Sequence, residues 1–285
     1  MGNATDRDAM IGRIRERVSK PWKMIELYRN WLLALLDRLH LVGQRPVLYQ
    51  LRNGVKFSLE AGTLDVRIIN EIWIDQIYTR WPGFSIRDGW TVADLGGQKG
   101  IFSVLAATSA KDVKVYTFEP APENFASLRQ NLELNALSNV KSFNLAVGSE
   151  DGEAILHLAA ESGCNSLIQR SDVTKRGDVR VETWSMGKVL RALPTPVNLL
   201  KMDIEGMEYD ALLSCSAEDL ERVERIALEC HGDHIDTGHS NSELIRFLEE
   251  RGFSTHHPER CILLAARTPS PALQFDPAVV ASALQ

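Results

Sequence analysis

The chain has 285 residues, of which 44% are hydrophobic and 25% are charged, with a formal net charge of −6. This composition is that of a globular protein with one large domain and an appendage. The negative charge argues against a nucleic-acid partner. The four cysteines form no CxxC pair, so neither a zinc nor a disulfide framework is expected. The opening residues are polar and no apolar run is long enough to cross a bilayer, so a cytoplasmic location is expected.

Residues 1–64 are predicted to form N-terminal helices and a hairpin. Apolar residues recur at helical spacing over 7–41, and Pro21 is expected to divide this stretch into two helices. The stretch is also rich in lysine and arginine. Two interpretations stay open. The basic amphipathic helices lie on a membrane surface, or they pack against the main domain or another subunit of a homo-oligomer.

Two local signals follow these helices. The dipeptide Asn53-Gly54 predicts a type I′ turn in a hairpin over residues 47–59. Residues 68–81 are predicted to form a helix that ends at Pro82-Gly83.

From Trp90 onward, apolar strands alternate with amphipathic helices, which predicts an α/β fold with a mostly parallel seven-stranded sheet. The last two strands follow each other closely, so the final strand should be antiparallel. An inserted strand pair is predicted at 153–158 and 179–183. The main domain is assigned to 65–267, and the proline-rich tail 268–285 is expected to be weakly structured. The predicted strands are 91–95, 114–119, 140–146, 197–203, 225–230, 253–257 and 261–266, and the predicted helices are 101–109, 122–135, 185–193, 208–214 and 242–251.

A glycine-rich turn, Asp94-Leu95-Gly96-Gly97-Gln98-Lys99-Gly100, joins the first of these strands to its helix. Glycines allow close approach of a ligand and positive φ angles. A dinucleotide fingerprint would need a glycine at position 95, and no Lys-Ser/Thr pair closes the turn as in a P-loop. Asp94 is expected to accept hydrogen bonds from turn amides or to approach the cationic end of a ligand. The alternative is a tight strand–helix turn that binds nothing.

The second predicted strand also ends in an acid, Glu119. In nucleotide-binding α/β folds, an acid at this place binds the ribose hydroxyls. The sequence therefore predicts that Glu119 and the glycine turn share one cofactor.

Two further strands carry polar residues to the carboxyl edge of the sheet, where open α/β folds bind their ligands. One ends in Asp203, followed by Glu205 and Glu208 at the start of a helix, where the helix dipole also favours carboxylates. The next ends in Glu229-Cys230-His231. Asp203, Glu229 and His231 are the candidates for a general base or for ligands of a divalent metal.

Together these residues resemble the FkbM family of S-adenosylmethionine-dependent methyltransferases. The resemblance covers roughly residues 65–266, and its most specific part is Lys201-Met202-Asp203-Ile204-Glu205-Gly206-Met207-Glu208. The other matching pieces are Asp94-Leu95-Gly96 with Gly100, Phe118-Glu119-Pro120-Ala121-Pro122-Glu123-Asn124-Phe125, Asn131-Leu132 and Asn144-Leu145-Ala146-Val147-Gly148.

The resemblance implies a class I methyltransferase Rossmann-like fold and S-adenosylmethionine as the cofactor. It places Asp94, Gly96 and Gly100, with Gln98, at the methionine end of that cofactor. It also implies that Glu119, next to Pro120, holds the ribose and that the segment from Asn144 to Ala146 lies near the adenine. The family usually has Ala-Asn after the first glycine of the turn, whereas this chain has Gly97-Gln98.

The expected function is O-methylation of a hydroxyl on a sugar, a glycan or a natural-product intermediate, with a small-molecule or glycan acceptor and no nucleic acid. Two alternatives stay open: a nicotinamide-dependent oxidoreductase, which the spacing of the turn disfavours, and a cofactor-binding protein without catalysis.

Overall fold

The computed structural model describes residues 21–160, 162–169, 173–231, 238–259 and 261–267. The chain divides into two compact units, Met1–Gln76 and Ile77–Gln285. The predicted helix before residue 21 and the predicted tail 268–285 lie outside the described residues.

The first unit begins with two short helices, α1 (Pro21–Leu27) and α2 (Trp31–Arg38). The prediction of one continuous helix after Pro21 is therefore wrong. Asn30 explains the interruption, because its side-chain nitrogen donates to the Leu48 carbonyl (2.8 Å) and its side-chain oxygen accepts from the Gln50 amide (2.9 Å). The chain between the helices pairs with the neighbouring hairpin instead of continuing a helix.

The predicted hairpin is confirmed, with β1 (Arg45–Gln50) antiparallel to β2 (Lys56–Ala61). Its turn is not type I′, since that turn needs a positive φ at both central residues. Only Gly54 adopts one (95°), and Asn53 does not. The register pairs Gln50 with Lys56, so the connection is also longer than two residues.

The helix predicted at 68–81 is wrong in both its bounds and its form. Helix α3 (Asp65–Ile69) begins earlier and changes to a π-helix at Asn70–Ile74. The helix ends there because Gln76 adopts the left-handed conformation (φ 48°), which a helix cannot continue through.

Most of the large hydrophobic side chains that are exposed among the described residues belong to the first unit. They are Trp22, Ile25, Leu32, Leu39, Leu41 and Leu48. Contact of these helices with a membrane or with another subunit stays a prediction. None of the helices in the described ranges is long and apolar enough to cross a membrane.

The second unit contains the predicted seven-stranded sheet. Its strands are β3 (Thr91–Leu95), β4 (Lys114–Phe118), β5 (Val140–Phe143), β9 (Leu199–Met202), β10 (Arg225–Glu229), β11 (Phe253–Glu259) and β12 (Ile262–Arg267). They lie in the order β11-β12-β10-β9-β3-β4-β5. The antiparallel pairs are β10–β12 and β11–β12, so the last strand is the antiparallel one, as predicted, and it lies second from the edge.

The connecting helices of this unit follow the glycine turn and the later strand ends. They are α4 (Ile101–Ser109), α5 (Pro122–Leu134), α6 (Met186–Ala192), α7 (Glu208–Leu213), α8 (Ala217–Glu221) and α9 (Asn241–Glu249). The sequence did not predict α8, which begins after Ser216, whose hydroxyl accepts from the Asp219 amide (3.0 Å). Strands β3 and β9, fully buried, form the centre of the unit.

A second sheet is built from the predicted insertion. Strands β7 (Gly152–Ala159) and β8 (Lys175–Ser185) are longer than predicted and pair antiparallel, and β6 (Ala146–Gly148) joins β8. The single strand predicted at 140–146 is therefore wrong, because its two halves belong to different sheets. Asn144 lies at the division and donates to the carbonyls of Glu119 (2.8 Å) and Pro120 (3.0 Å).

Candidate active site

The site lies at the carboxyl end of β3, where the order in which strands join the sheet changes direction. From β3, the chain adds β4 and β5 on one side of the sheet and later β9 and β10 on the other. Open α/β sheets bind their ligands outside the carboxyl ends of the strands at such a switch point. The glycine turn after β3 and the residues after β9 meet here, since a Cβ on Gly96 would stand 1.7 Å from the Asp203 carbonyl oxygen.

Close packing leaves no room for a side chain at position 97 of the turn. A Cβ on Gly97 would stand 2.1 Å from the Thr117 hydroxyl oxygen and 2.9 Å from Leu128 Cδ1. Both neighbours are fully buried. Alanine therefore does not fit beside Thr117 in this structure. Gly100 ends the turn at φ 83°, in the left-handed region.

Asp94 is completely buried beneath the turn. Its carboxylate accepts from the Ser103 hydroxyl (2.6 Å) and lies 3.2 Å from the Lys201 ammonium and 3.5 Å from the Thr117 hydroxyl. These are partners from the surrounding elements and not the turn amides that the sequence predicted. Asp94 thus fixes the base of the turn, and its place at the methionine end of a cofactor stays a prediction.

Lys201, on β9, carries the positive charge of this buried group. Its ammonium donates to the Gly96 carbonyl (2.8 Å) and lies 3.9 Å from Asp203. Burial by itself lowers the pKa of Lys201, but the charges of Asp94 and Asp203 outweigh it and raise that pKa. Sequence reasoning included Lys201 in a motif but assigned it no role.

Glu119 occupies the end of β4 and is almost completely buried. Its carboxylate accepts from the backbone amides of Gln98 (2.8 Å) and Ala121 (2.9 Å), and the Asn124 amide lies at 3.5 Å. Burial raises the pKa of Glu119 to about 7, although these hydrogen bonds act against the shift. The glycine turn and Glu119 are therefore joined directly, and a ligand common to both stays a prediction.

Of the remaining predicted cofactor residues, Pro120 and Asn144 lie beside Glu119. Pro120 and Asn144 meet through the Asn144 amide, which holds the two loops together, and Ala146 is buried at the start of β6. Their position near an adenine stays a prediction.

A tyrosine joins two of the three predicted catalytic residues. The Tyr78 hydroxyl lies 3.2 Å from Asp203 Oδ2 and 3.3 Å from Glu229 Oε2, close enough to donate to either. The carboxylates thus share one hydroxyl at the carboxyl ends of β9 and β10. Nothing in the local sequence marks Tyr78, which was assigned to the interior of a helix.

His231 completes the group. Its Nδ1 lies 3.0 Å from Glu208 Oε1, and its Nε2 lies 3.9 Å from Asp203 Oδ1 and 3.7 Å from Glu205 Oε2. Burial lowers the pKa of the imidazole, but the charges of Glu208, Glu205 and Asp203 and the hydrogen bond to Glu208 raise it to about 10. Asp203, Glu205 and His231 could hold a metal ion, since one ligand atom from each lies within 4.8 Å of the others.

The inserted sheet reaches both halves of the site. The Ser166 hydroxyl donates to the Glu205 carbonyl (2.6 Å). A Cβ on Gly163 would stand 2.9 Å from Gln98 Nε2, on the glycine turn. The loop between β7 and β8 therefore contacts the turn and the loop after β9.

Comparison with known proteins agrees with this arrangement. The family described as "Methyltransferase FkbM domain" matches residues 94–255, more than half of the chain. "Methyltransferase 1" of Beauveria bassiana (strain ARSEF 2860) is 27% identical over 242 residues, which cover 78% of this chain and 91% of that protein. "31-O-demethyl-FK506 methyltransferase FkbM" of Streptomyces tacrolimicus is 25% identical over 217 residues, covering 66% of this chain and 81% of that protein.

Among solved structures, the methyltransferase FkbM from Methylobacillus flagellatus KT aligns with a TM-score of 0.41 and 15% identity, over 71% of this chain and 52% of that one. The family match sets aside the nicotinamide-dependent oxidoreductase that the sequence left open. The chain belongs to the FkbM family of methyltransferases.

Proposed function

We propose that this protein transfers a methyl group from S-adenosylmethionine to a hydroxyl oxygen of a small molecule or glycan. The observation that carries the proposal is the group of Tyr78, Asp203 and Glu229, which lies beside the glycine turn at the switch point of the sheet. An alcohol must lose a proton when it is methylated, and this group can take one.

The residues at the switch point suit S-adenosylmethionine. Glu119 offers carboxylate oxygens at the strand end where ribose hydroxyls bind in related folds. The carboxylates of Asp203 and Glu229 give the site a negative charge, which suits a sulfonium. When bound, this cofactor supplies an electrophilic methyl group on a cationic sulfur.

The transfer itself depends on alignment of the acceptor. The acceptor oxygen forms the new O–C bond while the C–S bond breaks and its electron pair stays on sulfur. The hydroxyl proton passes to one of the two carboxylates that Tyr78 joins. His231 is a weaker candidate for this step, because with a pKa of about 10 it already carries a proton at neutral pH.

The choice of oxygen as the acceptor atom is supported by one relative. The Streptomyces tacrolimicus protein is named for the 31-O-demethyl form of FK506. The insertion touches both Gln98 and the Glu205 loop, which supports a role for it in binding the acceptor.

Transfer from methyl-labelled S-adenosylmethionine to a panel of glycans and small hydroxyl compounds tests this proposal. We expect Asp203→Asn and Glu229→Gln to lower turnover by about 10²–10⁴-fold while leaving the affinity for S-adenosylhomocysteine nearly unchanged. Glu153→Gln, on the exposed edge of β7, is the matched control and should transfer normally.

Two results would contradict the proposal. Tight binding of S-adenosylhomocysteine with no transfer to any acceptor would favour a cofactor-binding protein without catalysis. Normal turnover in both carboxylate variants would exclude the assigned base.

A further inference from the structure

His231 Nε2 faces two carboxylates at distances longer than those of hydrogen bonds. Its Nε2 lies 3.9 Å from Asp203 Oδ1 and 3.7 Å from Glu205 Oε2. The imidazole is only 12% exposed, and Nε2 has no hydrogen bond to any residue in the described part of the chain. Among the described residues, the two carboxylates are therefore the polar groups that face this nitrogen.

The distances are too long for hydrogen bonds and are somewhat longer than those between ligands of one ion. An N–H···O hydrogen bond spans about 2.7–3.2 Å. Nitrogen and oxygen ligands bind Zn²⁺ or Mg²⁺ at about 2.0–2.2 Å, so neighbouring ligand atoms lie about 3.0–3.5 Å apart. The three ligand atoms, all within 4.8 Å of one another, need to approach by up to about 2 Å to share an ion.

Glu208 selects the ring nitrogen that a metal needs. Its Oε1 faces His231 Nδ1 at 3.0 Å and also accepts from the Ile204 amide, while its Oε2 accepts from the Gly206 amide. A carboxylate only accepts hydrogen bonds, so the ring proton belongs on Nδ1. Binding of an ion would displace the proton from Nε2, whose lone pair then faces Asp203 and Glu205, and metal-binding histidines commonly carry such a second carboxylate.

The Asp203 side chain also directs one oxygen toward the proposed ligand group. Its Oδ2 is engaged by the Tyr78 hydroxyl and faces Lys201, whereas Oδ1 points toward His231. Each oxygen thus has a separate partner. One ligand atom can bind a cation without breaking the contact to Tyr78.

We propose that Asp203 Oδ1, Glu205 Oε2 and His231 Nε2 bind one divalent cation of the Mn²⁺ class. Two carboxylates and one imidazole suit an ion of intermediate hardness. In the proposed O-methyltransferase, this ion holds the acceptor hydroxyl and lowers its pKa. That role rests on the proposed function, but binding of the ion does not.

Titration of the protein with Mn²⁺, followed by the loss of the free-ion electron paramagnetic resonance signal, tests the site without any acceptor. We expect one ion per chain, and Glu205→Gln and His231→Asn should each weaken binding by at least about tenfold. His239→Asn is the matched control, because it removes a histidine that contacts two carboxylates, Asp210 and Glu243, outside the site. It should bind Mn²⁺ as the unchanged protein does.

Affinity for S-adenosylhomocysteine, measured on the same samples, shows whether the variants are folded and keeps this proposal separate from the proposed function. A protein that binds S-adenosylhomocysteine but takes up no Mn²⁺, or takes it up equally in all variants, would overturn the site. It would show that His231 remains an imidazolium paired with its acids. Unchanged methyl transfer in excess chelator would overturn the role of the ion in transfer.

Discussion

Replacing Gly97 with alanine should destabilise this protein. The new Cβ would stand 2.1 Å from Thr117 Oγ1 and 2.9 Å from Leu128 Cδ1, and both side chains are fully buried. Thr117 must move by about an ångström to relieve the contact, and overpacking of this kind costs about 1–3 kcal/mol. For a unit of this size, we expect the Tm to fall by about 2–4 °C for each kcal/mol lost.

A double-mutant cycle identifies the cause. Thr117→Ala removes the conflicting oxygen and gives up only a long contact to Asp94 (3.5 Å). In that background, Gly97→Ala should cost at least about 1 kcal/mol less, because residues in contact are coupled. Thr117→Val is the control, since it places a methyl group where the oxygen was and should not rescue stability.

The assay is urea unfolding monitored by circular dichroism, with free energies compared across the cycle. Additive costs in the Thr117→Ala background would refute the steric explanation of the turn. Rescue by Thr117→Val as well as by Thr117→Ala would refute it equally.

Two further predictions concern the cofactor pocket and the core beneath it. The pKa of Glu119 is about 7, so this carboxyl gains a proton and loses acceptor capacity as the pH falls through 7. Calorimetry should therefore show the affinity for S-adenosylhomocysteine falling below that pH, whereas Glu119→Gln should bind weakly at every pH; a flat profile in the unchanged protein would contradict the assignment. Lys201→Met leaves the buried Asp94 without its cation and should cost about 3–5 kcal/mol in urea unfolding. Adding Asp94→Asn should recover part of this loss, and an unchanged midpoint in Lys201→Met would show that the pair does not stabilise the fold.

The parts of the fold that the sequence predicted well are those with local causes. Strand Thr91–Leu95 and helix Ile101–Ser109 have the predicted bounds. A short, mostly apolar run before the glycine turn marks the strand, and the turn marks the start of the helix. The prediction that acids from separate strands would meet at one edge of the sheet also needed only the parallel order of those strands.

The errors have long-range causes. The strand predicted at 140–146 divides because Asn144 donates to backbone carbonyls after another strand. The break between α1 and α2 follows from bonds of Asn30 to the hairpin. Tyr78 reaches Asp203 and Glu229 across 125 and 151 positions of sequence. Periodicity contains no information about contacts of that range.

Glu208 limits how the acceptor preference of this enzyme can be changed by mutation. Glu208 accepts from two backbone amides of the loop after β9 and orients His231 as well. Loop shape and imidazole orientation therefore cannot be altered separately, and any substitution at this position changes both. A library that aims at new acceptors is better directed at the insertion around Gly163 and Ser166, with position 208 held constant.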